Sequence, residues 1–226
     1  LPARISAGAG CRLVRQKLAV CNLYSLTKGQ DALRGLFTVS QDLTGNLPSL
    51  PGIFPEQMAP VIRAGNDGIR AMEMMRWGFP PPPHAGKQSV TNVRNIASAY
   101  WRPWLKPEWR CLVPATSFCE YTDSLPKVPH WFALGDDRPV FAFAGIWRTW
   151  QGMRKGEDKE HRLFAFLTTE ANDDVRPVHA KAMPVVLTEG DWNRWLAGDL
   201  AEASMMQRPL AVGQLAIVAT GRRADG

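Results

Sequence analysis

No stretch of this 226-residue chain approaches the roughly 20 consecutive apolar residues of a membrane-spanning helix. Cysteine is scarce. Cys11, Cys21, Cys111 and Cys119 are the four, and no two of them form a Cys-x-x-Cys pair. Cys111 and Cys119 have no histidine pair at ligand spacing, which argues against a zinc knuckle and predicts no metal and no cofactor. So few thiols fit a reducing compartment. The first 20 residues contain no acidic side chain and lack the apolar middle of a secretory signal. Internal repeats and low-complexity segments are missing as well. These absences predict a single cytoplasmic domain, monomeric and without a membrane partner.

What remains is an ordinary globular composition, 45% hydrophobic and 21% charged. The length suffices for one substantial core. The net charge of +6 hints at an acidic partner. Four of those charges, Arg4, Arg12, Arg15 and Lys17, sit in the first 20 residues, and without them the total is only +2. Any basic surface must therefore be local.

Hydrophobic patterning predicts many short strands and few helices. A capping box at Thr27-Lys28-Gly29-Gln30 opens a helix carrying Leu33, Leu36 and Phe37. Residues 40–58 read as loop. Asn66-Asp67-Gly68 joins Val61-Ile62 to Ile69–Trp77 as a hairpin. Four consecutive prolines, Pro80 to Pro83, exclude a central strand or helix over Gly78–Lys87. Strand-like runs follow at 110–113, 117–121, 130–134, 140–147, 163–169, 184–187 and 215–219, and residues 153–161 read as a solvated hairpin turn. Helices are expected near 95–100, 170–175 and 191–196, the last capped by Thr188 and Asp191. The fold class is α+β, with a β-rich core closed as a barrel or sandwich and a few flanking helices.

Four segments carry chemistry-bearing side chains: Cys21-Asn22-Leu23-Tyr24-Ser25, Thr91-Asn92-Val93-Arg94-Asn95, Ser117-Phe118-Cys119-Glu120-Tyr121 and Pro177–Pro184 around His179. Each alone has an ordinary explanation: a buried thiol, a turn asparagine, a solvent-facing strand glutamate, a loop histidine. Cys21 matters for a further reason. At a free N-terminus a cysteine carries an α-amine of pKa about 7.7–8.0 beside its thiol. That 1,2-aminothiol traps an aldehyde as a five-membered ring. A carboxylate such as Glu120 in an apolar strand is expected to have its pKa raised by desolvation, which suits a proton donor near neutral pH.

Together and in this order, the segments resemble the SRAP family, the SOS-response-associated peptidases or abasic-site-processing proteins. The resemblance covers residues 21 to 226. It rests on the Cys21–Gln30 start, Trp77-Gly78-Phe79, Asn92-Val93-Arg94, Phe118-Cys119-Glu120-Tyr121 and His179 to Pro184. It implies a single domain that crosslinks itself to an abasic site in single-stranded DNA as a thiazolidine, with lyase and autopeptidase activity. In that scheme Cys21 is the nucleophile and Asn92 orients the amine or the sugar. Glu120 shuttles protons, His179 assists ring opening, and Arg94 holds a phosphate. DNA binding would associate the protein with the nucleoid. For the remaining DNA contacts, Trp77 and Phe79 are candidate stacking surfaces, and Arg76, Arg102 and Lys106 are candidate phosphate contacts.

Two departures stand out. The family's cysteine follows an initiator methionine, whereas Val20 stands here. Residues 1–20 are thus expected to be translated upstream sequence from a misplaced start, or else a leader removed by self-cleavage. Ile53-Phe54-Pro55 also lacks an asparagine often found in that loop, which weakens any DNA contact there. A thiol peptidase and a non-catalytic single-stranded DNA-binding module are the alternative readings.

Overall fold

The structure is a computed structural model describing residues 21–65, 68–83 and 86–226. The expected leader, Cys11 and the turn residues Asn66 and Asp67 lie outside the described residues. Along the chain, β1 (Tyr24–Leu26), α1 (Gln30–Leu36), β2 (Gln41–Asp42), β3 (Leu50–Ile53), β4 (Met58–Ala64), β5 (Arg70–Trp77) and β6 (Asn92–Val93) come first. Two short 3-10 turns, Arg102–Leu105 and Pro107–Trp109, lead to β7 (Arg110–Ala115), β8 (Ser117–Tyr121), β9 (Pro129–Ala133), β10 (Phe141–Arg154) and β11 (Glu157–Thr169). The chain then forms β12 (Met183–Pro184), β13 (Val186–Leu187), α2 (Glu189–Ala197), α3 (Leu200–Met205) and β14 (Ala216–Thr220).

Five of these strands close a barrel. β5 pairs antiparallel with β4, β4 with β7, β7 with β10 and β10 with β11. β11 then returns to β5 in parallel, at Leu163↔Arg76 and Phe164↔Trp77. Closure removes the exposed edges that an open sheet would present. The interior is aromatic: Tyr24 packs edge-on against Trp77 and Phe143, and Phe143 against Phe166. Gly145 lets β10 approach β7, since a Cβ there would lie 2.7 Å from Cys111 Sγ. A second sheet, ordered β14-β9-β8-β1-β3, lies beside the barrel.

The α+β, β-rich expectation holds, and the described residues differ from it mainly at element ends. Residues 40–58 contain β2, β3 and the start of β4. The charged run 153–161 is mostly strand, because β10 and β11 continue in register to Arg154↔Glu157 and leave a two-residue turn. No helix forms at 95–100 or 170–175; these are turns and irregular backbone. The expected caps also differ. Gly29 is the N-cap of α1, and Gln30 instead reaches Asp42, Thr44 and Gly45, tying the helix to the following loop. Thr188 caps α2 without a side-chain bond. A reciprocal capping box forms at α3, between Asp199 and Glu202. In each case a tertiary partner or a better-placed carboxylate decides where the side chain goes.

Candidate functional site

Cys21 lies three residues before the start of β1, and β1 pairs with β8 at Tyr24↔Phe118. The ladder continues through a bond from Cys119 N to Leu23 O at 2.9 Å. That register sets Glu120 beside Cys21, and Cys21 N donates to Glu120 Oε1 at 3.1 Å. Independently, β6 pairs in parallel with β11 at Phe166↔Asn92. Asn92 is thereby delivered from the barrel side, and its Nδ2 donates to Cys21 O at 3.1 Å. Cys21 is held at both backbone polar atoms by two side chains distant in sequence. It also occupies positive φ (+28°), rare for a residue with a Cβ.

Thr91 and Asn22 complete the cluster. Asn92 Nδ2 donates to Thr91 Oγ1 at 3.0 Å, and Thr91 Oγ1 donates to Asn22 Oδ1 at 2.9 Å. Both lie inside the chemistry-bearing segments of the sequence, although neither was given a role there. Beneath them, the buried Tyr24 hydroxyl has no hydrogen-bond partner among the described residues.

The electrostatics follow from burial. Glu120 is 2% exposed. Desolvation pushes its carboxyl well above the usual range; the bond from Cys21 N opposes this, and the nearby Asp123 charge adds to it. The Cys21 thiol is likewise pushed up, first by burial and then by Glu120 and Cys119. Burial thus weights both groups toward their neutral forms, the carboxylic acid and the thiol, and away from carboxylate and thiolate.

His179 lies in the loop between β11 and β12 and is buried. No hydrogen bond joins it to Cys21 or Glu120 among the described residues. Its link to them runs through Asp123, whose Oδ1 is 3.2 Å from His179 Nδ1 and whose charge bears on Glu120. Asp123 went unnoticed in the sequence; its spacing of three residues from Glu120 across a strand end was the available signal.

The expected DNA contacts divide sharply. Trp77 and Phe79 are fully buried and offer no surface to a base. Trp77 instead stacks on Phe166 and donates from Nε1 to Thr91 O at 3.1 Å, so it supports the loop bearing Asn92. Phe79 packs against Trp101 and Trp104. Arg76 is half-buried and donates to Glu56 O at 2.7 Å. Arg94, two residues from Asn92, is exposed, with Glu170 3.6 Å away. Arg102 and Lys106 are exposed on a separate groove of about 510 Å³ lined also by Ala97, Ala99, Pro103 and Leu200. No group of three or more metal-ligating side chains is found among the described residues. No helix among them is long and apolar enough to cross a membrane.

Barrel and cluster together define a β-rich α+β domain with a buried cysteine at the entry to its first strand. The SOS response associated peptidase (SRAP) family matches residues 20–220, and the chain belongs to that family. Membership associates it with DNA damage, the SOS response and abasic sites. Solved structures share the fold, among them the following three. A protein from Bordetella bronchiseptica has a TM-score of 0.71 at 24% identity, covering 91% of this chain and 100% of its own. A protein from Bacteroides thetaiotaomicron has a TM-score of 0.71 at 20% identity, covering 87% of this chain and 90% of its own. A phage-related protein from Bordetella bronchiseptica has a TM-score of 0.64 at 23% identity, covering 87% of this chain and 92% of its own. No curated protein matches the sequence.

Proposed function

We propose that this protein captures abasic sites in single-stranded DNA by forming a thiazolidine through Cys21, acting as a chain that begins at Cys21. The observation that carries this reading is the 3.1 Å approach of Cys21 N to a buried, protonated Glu120. An ordinary amide needs no such acid. A free α-amine does, because imine formation expels water.

The chemistry balances as follows. The neutral amine attacks the C1′ aldehyde of the ring-opened sugar, forming a carbinolamine. Glu120 protonates the carbinolamine hydroxyl, water leaves as an iminium forms, and the iminium returns its N–H proton to Glu120, leaving a neutral imine. The Cys21 thiol adds to the imine carbon while its proton passes to the ring nitrogen. One aldehyde and one aminothiol give one thiazolidine and one water. Burial favours the neutral amine and acid over their ion pair, so the nucleophile and its proton donor coexist at neutral pH. Asn92 fixes the Cys21 carbonyl and so the direction of the amine, while the exposed Arg94 meets a phosphate.

A thiol peptidase fits less well, since a nucleophilic thiolate requires a lowered pKa and the Cys21 thiol is raised.

The test is incubation of a chain starting at Cys21 with an oligonucleotide bearing one abasic site, followed by denaturing electrophoresis and mass spectrometry. The reading expects a stable adduct at the sum of the two masses minus one water. It also expects none after the α-amine is acetylated. An equal adduct yield from the acetylated protein would refute it.

A further inference from the structure

We propose that Asp123 is a positioning residue: it holds the Nδ1–H of His179 and so leaves Nε2 as the proton acceptor of the site. The inference rests on the assignment of His179 to the abasic-site reaction proposed above, and it names a residue that the four chemistry-bearing segments do not contain.

The loop around His179 lacks regular secondary structure, yet it is pinned to Asp123 three times. Asp123 N donates to Val178 O at 3.1 Å, Ala180 N donates to Asp123 Oδ2 at 3.1 Å, and His179 Nδ1 stands 3.2 Å from Asp123 Oδ1. One carboxylate thus divides its two oxygens between the loop backbone and the imidazole. The bond from Ala180 N and the neighbouring positive charges keep the Asp123 carboxyl below its ordinary range, so it is ionised at neutral pH. An ionised carboxylate only accepts, so Nδ1 must carry the hydrogen. In a neutral imidazole Nε2 then has the lone pair. Nε2 is buried and has no hydrogen-bond partner among the described residues, as a nitrogen reserved for a substrate would be.

The charged groups around the ring act in opposite directions. Burial lowers the His179 pKa most, Asp123 raises it, and Lys181 and Lys127 lower it again. Glu120, which feels Asp123, is buried and protonated. The imidazole is therefore neutral at pH 7 and can accept a proton. In the proposed step Nε2 takes the proton of the C1′ hydroxyl as the C1′–O4′ bond breaks. O4′ takes a proton from water, and the hydroxide produced recovers the proton from the imidazolium. The sugar is isomerised to its aldehyde with no net gain or loss of protons.

The test follows His179 directly. Nitrogen NMR of the imidazole, assigned with His179→Gln, reads its tautomer and titration without any DNA. The wild type is expected to show the Nδ1–H form. Asp123→Ala is expected to shift His179 toward the Nε2–H form and to slow crosslinking of an abasic oligonucleotide about 10- to 100-fold, with its dissociation constant unchanged. Asp123→Asn keeps an acceptor but no charge, so the tautomer persists and the imidazole titrates at lower pH, carrying the acid limb of the rate profile with it. Asp123→Glu restores part of the rate. If Asp123→Ala does not fold, Asp123→Asn decides. Folded variants that keep the wild-type tautomer, titration and rate overturn the proposal. A wild type with the Nδ1–H tautomer but no crosslink refutes the proposed function and leaves the positioning role of Asp123 standing.

Discussion

Glu73 and Glu120 are both buried strand carboxylates, at 4% and 2% exposure, yet their surroundings are opposite. Glu73 on β5 is clasped by Arg63 and Arg162, and Arg63 also stacks over Trp147. Glu120 on β8 meets a backbone nitrogen where Glu73 meets cations, and the nearest charge bearing on it is another carboxylate, Asp123. Burial alone is therefore no mark of a functional acid. The mark is burial without a compensating cation, which keeps the proton on the acid and makes it available for transfer.

The sharpest way to break this comparison is at the residue Glu120 serves. Cys21→Ala removes the thiol and is expected to abolish the thiazolidine crosslink that survives denaturing electrophoresis without reduction. Cys21→Ser retains the amine and should form only an imine, seen as a band on a denaturing gel after borohydride reduction and lost without it. Next come the two carboxylates themselves. Glu120→Gln should slow crosslinking about 10²- to 10⁴-fold while leaving the unfolding midpoint in urea unchanged or higher. Glu73→Gln should do the reverse. It removes the charge that two part-exposed arginines share, costs about 1–3 kcal/mol in urea unfolding, and leaves the rate per folded molecule intact.

pH separates the wild type from Glu120→Gln more finely. Glu120 keeps its proton well above the ordinary value of 4.5. The wild-type rate should therefore climb with pH as His179 loses its proton, show no loss through the usual carboxylate range, and fall only when Glu120 ionises at higher pH. Glu120→Gln should lose that falling limb, as a stopped-time crosslinking series across pH would show. The smallest effects belong to the surface and its support. Arg94→Ala should weaken single-stranded DNA binding uniformly across sequences and reduce the salt slope by about one ion, measured by fluorescence anisotropy. Trp77→Phe removes the bond to Thr91 and should cost about 1 kcal/mol in stability with DNA affinity unchanged.

The sequence carried the strands best where hydrophobic runs were long, as at 117–121, which coincides with β8, and at 141–147 and 163–169, which form the paired barrel strands. Of the candidate residues it named, Cys21, Asn92 and Glu120 converge through two separate strand pairings. It missed what depends on tertiary partners. Gln30 had a local capping option and took a loop instead. Trp77 and Phe79 had aromatic faces suited to bases, but both are buried, Trp77 stacked on Phe166 and Phe79 packed against Trp101 and Trp104. Asp123 carried only its spacing from Glu120, because its meaning comes from a loop more than 50 residues away, as the bond from Ala180 records.

The central claim is that the nitrogen of Cys21 acts as a free amine beside Glu120. The most direct measurement is the intact mass of the native protein, taken before and after reaction with abasic single-stranded DNA. The account predicts a chain beginning at Cys21 that gains the oligonucleotide minus one water. A stable chain that retains residues 1–20 and crosslinks abasic DNA equally well would contradict it.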